Sequence, residues 1–128
     1  MEGELKKLVE KVRKDKDVLA LILFGSYARK ETKKSSDIDV CLVLRQKKLS
    51  NIFMSRKRLE YLKLLPSNYD VQIFQQLPLY IRVRVLEEGK FLLNKNYEEM
   101  FKVALRSIKE FDLFKKHYYY CIKSAAYG

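Results

Sequence analysis

The chain has 128 residues, 48% of them hydrophobic, which is enough for one cored domain and excludes both a disordered tail and an ordinary two-domain enzyme. Lys and Arg number 27 against 16 acids, a net charge of +11; such an excess attracts phosphate-bearing molecules (nucleotide, RNA, DNA) or an acidic protein, although a lysine-rich solubilising surface accounts for many of the same residues. No apolar run reaches membrane-span length and MEGELKKLVEKVRKDK has no signal-peptide core, so the expected setting is cytoplasmic, with no membrane partner.

Residues 4–14 set Leu5, Leu8, Val9 and Val12 at helical spacing and predict an amphipathic helix. VLALILF (18–24) is a continuous apolar run ending at Gly25 and predicts a buried strand, after which SYARKE predicts a short helix opening at Ser26. IDVCLVL (38–44) is β-branched and apolar, a second strand. NIFMSRKRLEYLKLL predicts a helix stopped by Pro66 and Asn68. YDVQIFQQL sets Val71 and Ile73 against Gln72, a strand with one wetter face. Pro78 can start the helix PLYIRVRVLEE and Gly89 can cap it. Asn96 followed by Glu99 resembles a capping box for a last helix from Tyr97 to about Ser124. The alternation of helices and strands predicts an α+β (mixed α/β) fold, a small mixed sheet flanked by helices. One domain is expected over 1–128, with a core at about 18–93 and a C-terminal helical segment at about 96–124. Cys41 and Cys121 read as buried thiols, and with the single His117 they make no zinc-type set.

The chemistry concentrates between the first two strands. Alternate residues share a strand face, so Asp37 and Asp39 project together, roughly 6–7 Å apart at Cα. Two carboxylates that close resist joint ionisation unless a cation sits between them, and oxygen-only ligands suit a hard cation such as Mg²⁺. Taken alone, D-x-D serves equally well as a turn into the strand. Gly25 changes the balance, because it lies between a strand and a predicted helix, where backbone can approach a ligand closely. Ser26 adds a hydroxyl at a helix N-terminus, a natural anion site, and Arg29 stands one turn on. Together these parts predict a nucleoside triphosphate site that is neither a Walker loop nor a G-x-G-x-x-G turn.

Gly25-Ser26, ten intervening residues and Asp37-Ile38-Asp39 resemble the GS-x10-D-x-D signature of the DNA polymerase beta nucleotidyltransferase superfamily. FGSYARKETKKSSDIDV is similar to the GSxARG…SDIDL of minimal nucleotidyltransferases, the MNT proteins, and the clear resemblance covers about residues 18–93. It implies a polymerase beta-like nucleotidyltransferase fold. It also implies metal-dependent transfer of a nucleoside monophosphate, AMP from ATP, to a hydroxyl, a tyrosine of a HEPN-domain toxin for which the chain is the antitoxin. Asp37 and Asp39 would then hold two Mg²⁺ ions, and Asp70, eight residues before Pro78 as in the DLVDLNEAP of relatives, would complete the second site. Gly25, Ser26 and Arg29 would hold the β and γ phosphates. The sequence departs from the family at Lys30, where relatives carry glycine, and in the basic KETKK connector.

Two other functions fit the same residues: an NTP-binding antitoxin that silences a HEPN partner by contact, and a basic nucleic-acid-binding protein on the same fold. Phe101, Ala104, Ile108, Phe111, Tyr118 and Ile122 fall near one stripe of a last helix roughly 40 Å long. That stripe reads either as a partner surface or, if the helix breaks near Asp112, as core. The HYYY run at 117–120 reads as packing or interface. Base preference, acceptor and homo-oligomer formation are left open.

Overall fold

The computed structural model describes residues 2–25, 38–45 and 49–127. In chain order these form α1 (Glu2–Lys14), β1 (Val18–Phe24), β2 (Ile38–Leu44), α2 (Asn51–Leu62), β3 (Tyr69–Ile73), α3 (Leu79–Glu88), β4 (Lys90–Asn94) and α4 (Tyr97–Tyr127). The strands make one mixed sheet in the order β3-β2-β1-β4. β1 runs antiparallel to β2 and β4, while β2 runs parallel to β3.

β1 and β2 are apolar on both faces and therefore need cover on both. Leu21, Leu23, Val40, Leu42, Val71 and Ile73 pack against Leu8 and Val12 of α1 and Met54 and Tyr61 of α2. Leu19, Ala20, Ile22, Cys41 and Val43 face the other way, onto Val85 of α3 and Met100 and Val103 of α4. The α+β expectation of a small mixed sheet flanked by helices is met. Among the described residues no helix is long and apolar enough to cross a membrane.

Ser50 caps α2, its hydroxyl accepting from Phe53 N–H at 3.1 Å. β3 is shorter than the alternation predicts, because both Ile73 and Phe74 are buried and the chain turns into a 3₁₀ turn at Phe74–Gln76. Gln75 then pairs with the end of β2 by its side chain, accepting from Leu44 N–H at 3.1 Å and donating to Leu44 O at 2.8 Å. β4, absent from the sequence reading, is a five-residue edge strand with no period-two pattern to reveal it. Gly89 is not a left-handed cap, since its φ is −73°. Its constraint is space: a Cβ there would meet the Val85 carbonyl and the Ile22 side chain.

Asn96 accepts from Glu99 N–H at 3.0 Å, but the other half of the capping box is replaced by a bond from Arg45 to the Glu99 carboxylate at 2.6 Å. α4 continues unbroken for 31 residues, so no fold-back occurs near Asp112. Met100, Val103 and Ser107 are buried, whereas Leu113, Phe114, Tyr118, Tyr119, Tyr120 and Ile122 are exposed. Cys41 is buried as expected, and burial pushes its thiol pKa up. Cys121 corrects the expectation of a buried thiol: it is exposed on the outer part of α4, 3.7 Å from His117.

Candidate active site

The antiparallel pairing brings the end of β1 to the start of β2, with Phe24 opposite Asp39. Gly25 follows with φ +78°, a left-handed conformation open to glycine at little cost. A Cβ at this position would run into the Asp39 carboxylate. The turn backbone therefore lies directly against that carboxylate, and two independent constraints exclude a side chain.

β2 and β3 pair in parallel with Asp39 opposite Asp70. Cα atoms on adjacent strands at one register lie about 5 Å apart. Asp39 shares its face with Cys41 and Val43, and Asp70 shares its face with Gln72, so both acids project on the α3–α4 side at one end of the sheet. Both are half-buried. Each oxygen of Asp70 has a donor: Arg58 Nη2 stands 3.3 Å from Oδ1 and Gln72 Nε2 donates to Oδ2 at 2.9 Å. Arg58 is itself fixed by donating from Nε to Val71 O at 2.6 Å. Beside Gly25, under α3, a pocket of about 190 Å³ is lined by Phe24, Gly25, Ile81, Arg84, Val85 and Glu88.

Of the sequence-predicted site residues, Gly25, Asp39 and Asp70 come together. Ser26, Arg29 and Asp37, with the helix expected from Ser26, lie outside the described residues. Among the described residues there is no group of three or more His, Cys, Asp or Glu side chains able to hold a metal. The Asp39–Asp70 pair offers oxygen donors without nitrogen or sulfur, a set that suits a hard divalent cation. Arg58 and the α3 residues Arg84 and Glu88 escaped the sequence reading. No local signal marks Arg58 within the run Arg56-Lys57-Arg58, since its partner lies on another element.

At the opposite end of the sheet a second acidic group is closed by cations. Lys57 Nζ lies 2.9 Å from Asp15 Oδ2 and 3.0 Å from Asp17 Oδ2, and the Tyr61 hydroxyl donates to Asp15 Oδ2 at 2.7 Å. Burial acts to raise the Asp15 pKa, but the Tyr61 and Lys57 hydrogen bonds outweigh it and hold the carboxyl below its ordinary value. Burial also opposes the Lys57 charge, and its bonds to Asp15 and Asp17 nevertheless keep its pKa raised. Lys95 completes the group, donating to Asp15 O at 2.5 Å. Its pKa is lowered by burial and by the neighbouring Arg45 charge.

Residues 6–98 match the Polymerase beta, Nucleotidyltransferase family. Over 81 residues the chain is 38% identical to "Putative protein adenylyltransferase MJ1547" of Methanocaldococcus jannaschii; the match covers 63% of this chain and spans 60% of that relative's length. A chain from a crystal structure of a toxin–antitoxin with AMP-PNP superposes with a TM-score of 0.70 at 20% identity, covering 97% of both chains. A chain from the complex of tri-AMPylated Shewanella oneidensis HEPN toxin with MNT antitoxin superposes with a TM-score of 0.68 at 18% identity, again over 97% of both. These two likenesses are likenesses of fold.

Proposed function

The chain belongs to the polymerase beta nucleotidyltransferase family, and from that premise we propose that it transfers AMP from ATP to a hydroxyl of a partner protein, a tyrosine of a HEPN-type toxin, and so acts as an antitoxin. The observation that carries this reading is the placement of Asp39 beside Asp70 on parallel strands, with the left-handed Gly25 backbone against Asp39. A binding module gains nothing from two adjacent carboxylates that repel each other, whereas phosphoryl transfer uses them. The relative named as an adenylyltransferase and the neighbour in complex with an AMPylated HEPN toxin point to the same acceptor chemistry.

In this reading the acceptor oxygen attacks the α-phosphorus in line, its proton passes to solvent, and the bond to the pyrophosphate oxygen breaks. Gly25, Ser26 and Arg29 bind the β and γ phosphates and fix the line of attack, worth several kcal/mol by orientation alone on the order of general effective-molarity gains. Asp37, Asp39 and Asp70 would hold two Mg²⁺ ions, which when bound supply charge neutralisation at the phosphates and at the acceptor oxygen. Asp70 carries a donor on each oxygen, so Arg58 and Gln72 keep its carboxylate in one orientation next to Asp39.

The test is incubation with α-labelled ATP, Mg²⁺ and the HEPN protein encoded beside it. Label should appear on the partner with wild-type protein and be absent with Asp39→Ala. Label that appears with both would remove Asp39 from the chemistry.

A contact function is the second reading, favoured by the outer part of α4. Leu113, Phe114, Tyr118, Tyr119 and Ile122 are exposed on a helix that extends past the sheet it packs on. Exposed aromatic groups of this kind anchor protein interfaces. Truncation before Phe111 should leave nucleotide binding intact and abolish co-purification with the partner. Retained co-purification would place the interface elsewhere.

A further inference from the structure

We propose that the pocket under α3 is the nucleobase subsite of the same active site, with Arg84 as the residue that covers the base. The proposal rests on the nucleotide reading above and adds where the base goes and what it meets there. Gly25 is the joint between the two parts. One side of its backbone lies against the Asp39 carboxylate and the other lines the pocket, so a triphosphate on this turn has the pocket within reach of its nucleoside end.

Size and lining select the occupant. The pocket holds about 190 Å³, whereas sites that enclose whole drug-sized molecules run to about 300–1,000 Å³. It therefore suits one flat ring system rather than an entire nucleotide. Phe24, Ile81 and Val85 supply apolar walls for the ring faces, and Arg84 and Glu88, one helical turn apart on α3, supply the polar lining. Their closest oxygen and nitrogen are 3.7 Å apart, so a donor and an acceptor stand side by side. A guanidinium plane stacks on a base face, and more than half of the Arg84 side chain is exposed and available to do so. The Glu88 carboxylate accepts from an exocyclic amine and repels the carbonyl edge of uracil. The site therefore takes an amino-bearing base, and a purine fills it better than a pyrimidine.

The larger groove between α1 and α2 does not compete for this role. It is lined by Lys6, Lys7, Lys11, Lys14 and Lys57 together with Glu10, Asp15 and Glu60, and it opens on the sheet face away from Asp39 and Asp70.

Calorimetry on the intact chain with Mg²⁺ and three probes (ATP, UTP and inorganic tripolyphosphate) separates base from phosphate recognition. Stacking on a protein side chain is sequence-tolerant and strong enough that Arg84→Ala should weaken ATP by about tenfold or more. The same variant should leave tripolyphosphate within a factor of about two, since no base is present to lose. Glu88→Gln should narrow the preference for ATP over UTP and leave tripolyphosphate unchanged. Equal losses of ATP and tripolyphosphate in Arg84→Ala would assign that arginine to the phosphates and overturn the subsite. Unchanged ATP affinity in both variants would place the base elsewhere and overturn it as well. Wild-type protein that binds tripolyphosphate but shows no preference between ATP and UTP also sinks the subsite while sparing the phosphate turn. Wild-type protein that binds neither ATP nor tripolyphosphate removes the nucleotidyltransferase reading, and the subsite with it.

Discussion

Both ends of β1 are flanked by aspartates, and the two ends treat them in opposite ways. Where the strand begins, Asp15 and Asp17 close around Lys57, with Tyr61 and Lys95 completing the bonds to Asp15. Where it ends, Asp39 stands beside a second acid, Asp70, with the Gly25 backbone pressed against it. Adjacent residues of α2 serve the two groups: Lys57 reaches Asp15, and Arg58 reaches Asp70. The first group is a closed charge balance that ties α2 to the α1–β1 connection. The second juxtaposes like charges, an arrangement that costs stability unless something the fold does not supply is bound there. The lesson is that acids surrounded by cations hold a fold together, and acids set side by side are kept for work.

The largest expected effect tests that division directly. Asp39→Asn should lower AMP transfer on the order of 10²–10³-fold or more, as loss of a transition-state charge partner does. The melting temperature should stay level or rise, because one of two neighbouring carboxylates loses its charge. Label transfer and a thermal melt on the same preparation read both quantities. A clear drop in melting temperature would make Asp39 a structural residue like Asp15 and dissolve the contrast.

Lys57→Met is the mirror experiment. Lys57 and Asp15 are each about one-tenth exposed, with side chains at 12% and 11%. Removing the cation strands a nearly buried carboxylate, so urea denaturation should show a loss of about 3–5 kcal/mol. ATP affinity of the folded variant should be unchanged, because the network lies at the other end of the sheet. A matching loss of affinity would mean that the two ends are mechanically coupled.

Much of the candidate site was legible in the sequence, and for a physical reason. A left-handed turn, alternate residues on one strand and an acid at a fixed distance before a proline are local patterns, and Gly25, Asp39 and Asp70 were placed by them. The strands β1 and β2 were equally plain, since a run apolar on both faces can only be buried. Arg58, Lys57, Arg84 and β4 were not legible. Lys57 meets Asp15 across 42 positions and Arg58 meets Asp70 across 12, and no periodicity encodes such pairs. The outer part of α4 carries apolar spacing that describes a core-facing helix just as well. Its exposure follows from the shortness of the sheet beneath it, which is a property of the whole fold.

The pH response should come mainly from the closed end. Asp15 has its folded pKa below the unfolded value, so its contribution is present above the ordinary carboxylate range and lost as pH falls through the folded value. Lys57 has its folded pKa raised, so its contribution is present below about pH 10 and lost as pH rises through the higher folded value. Stability should therefore be level through neutrality and fall below about pH 4. Urea midpoints between these limits measure it, and the Lys57→Met variant should show a shallower acid limb. An acid limb that is unchanged in Lys57→Met would assign acid lability to other carboxylates.

The smallest effect concerns the residue that blurs the contrast. Arg58 gives the working end one cation, yet both it and Asp70 are more than a third exposed, at 38% and 39%. A pair so open to solvent contributes about 0.2–1 kcal/mol, so Arg58→Gln should shift the urea midpoint barely or not at all. The sharper readout is Mg²⁺ affinity in the presence of ATP. Arg58 Nη2 stands 3.3 Å from Asp70 Oδ1, on the same carboxylate that a cation would claim. If the guanidinium holds the acid in readiness and yields to the metal, its removal should tighten Mg²⁺ binding by a few-fold, about 0.5–1 kcal/mol, the size of the ion pair lost. If it orients Asp70 in the loaded site as well, Mg²⁺ binding should weaken instead, and Arg58 would join the structural cations that Lys57 represents. Calorimetric Mg²⁺ titration of wild type and Arg58→Gln, each saturated with ATP, decides between the two directions. Tighter binding leaves the two ends of β1 distinct: one closed by its cations, the other closed only when the metal arrives.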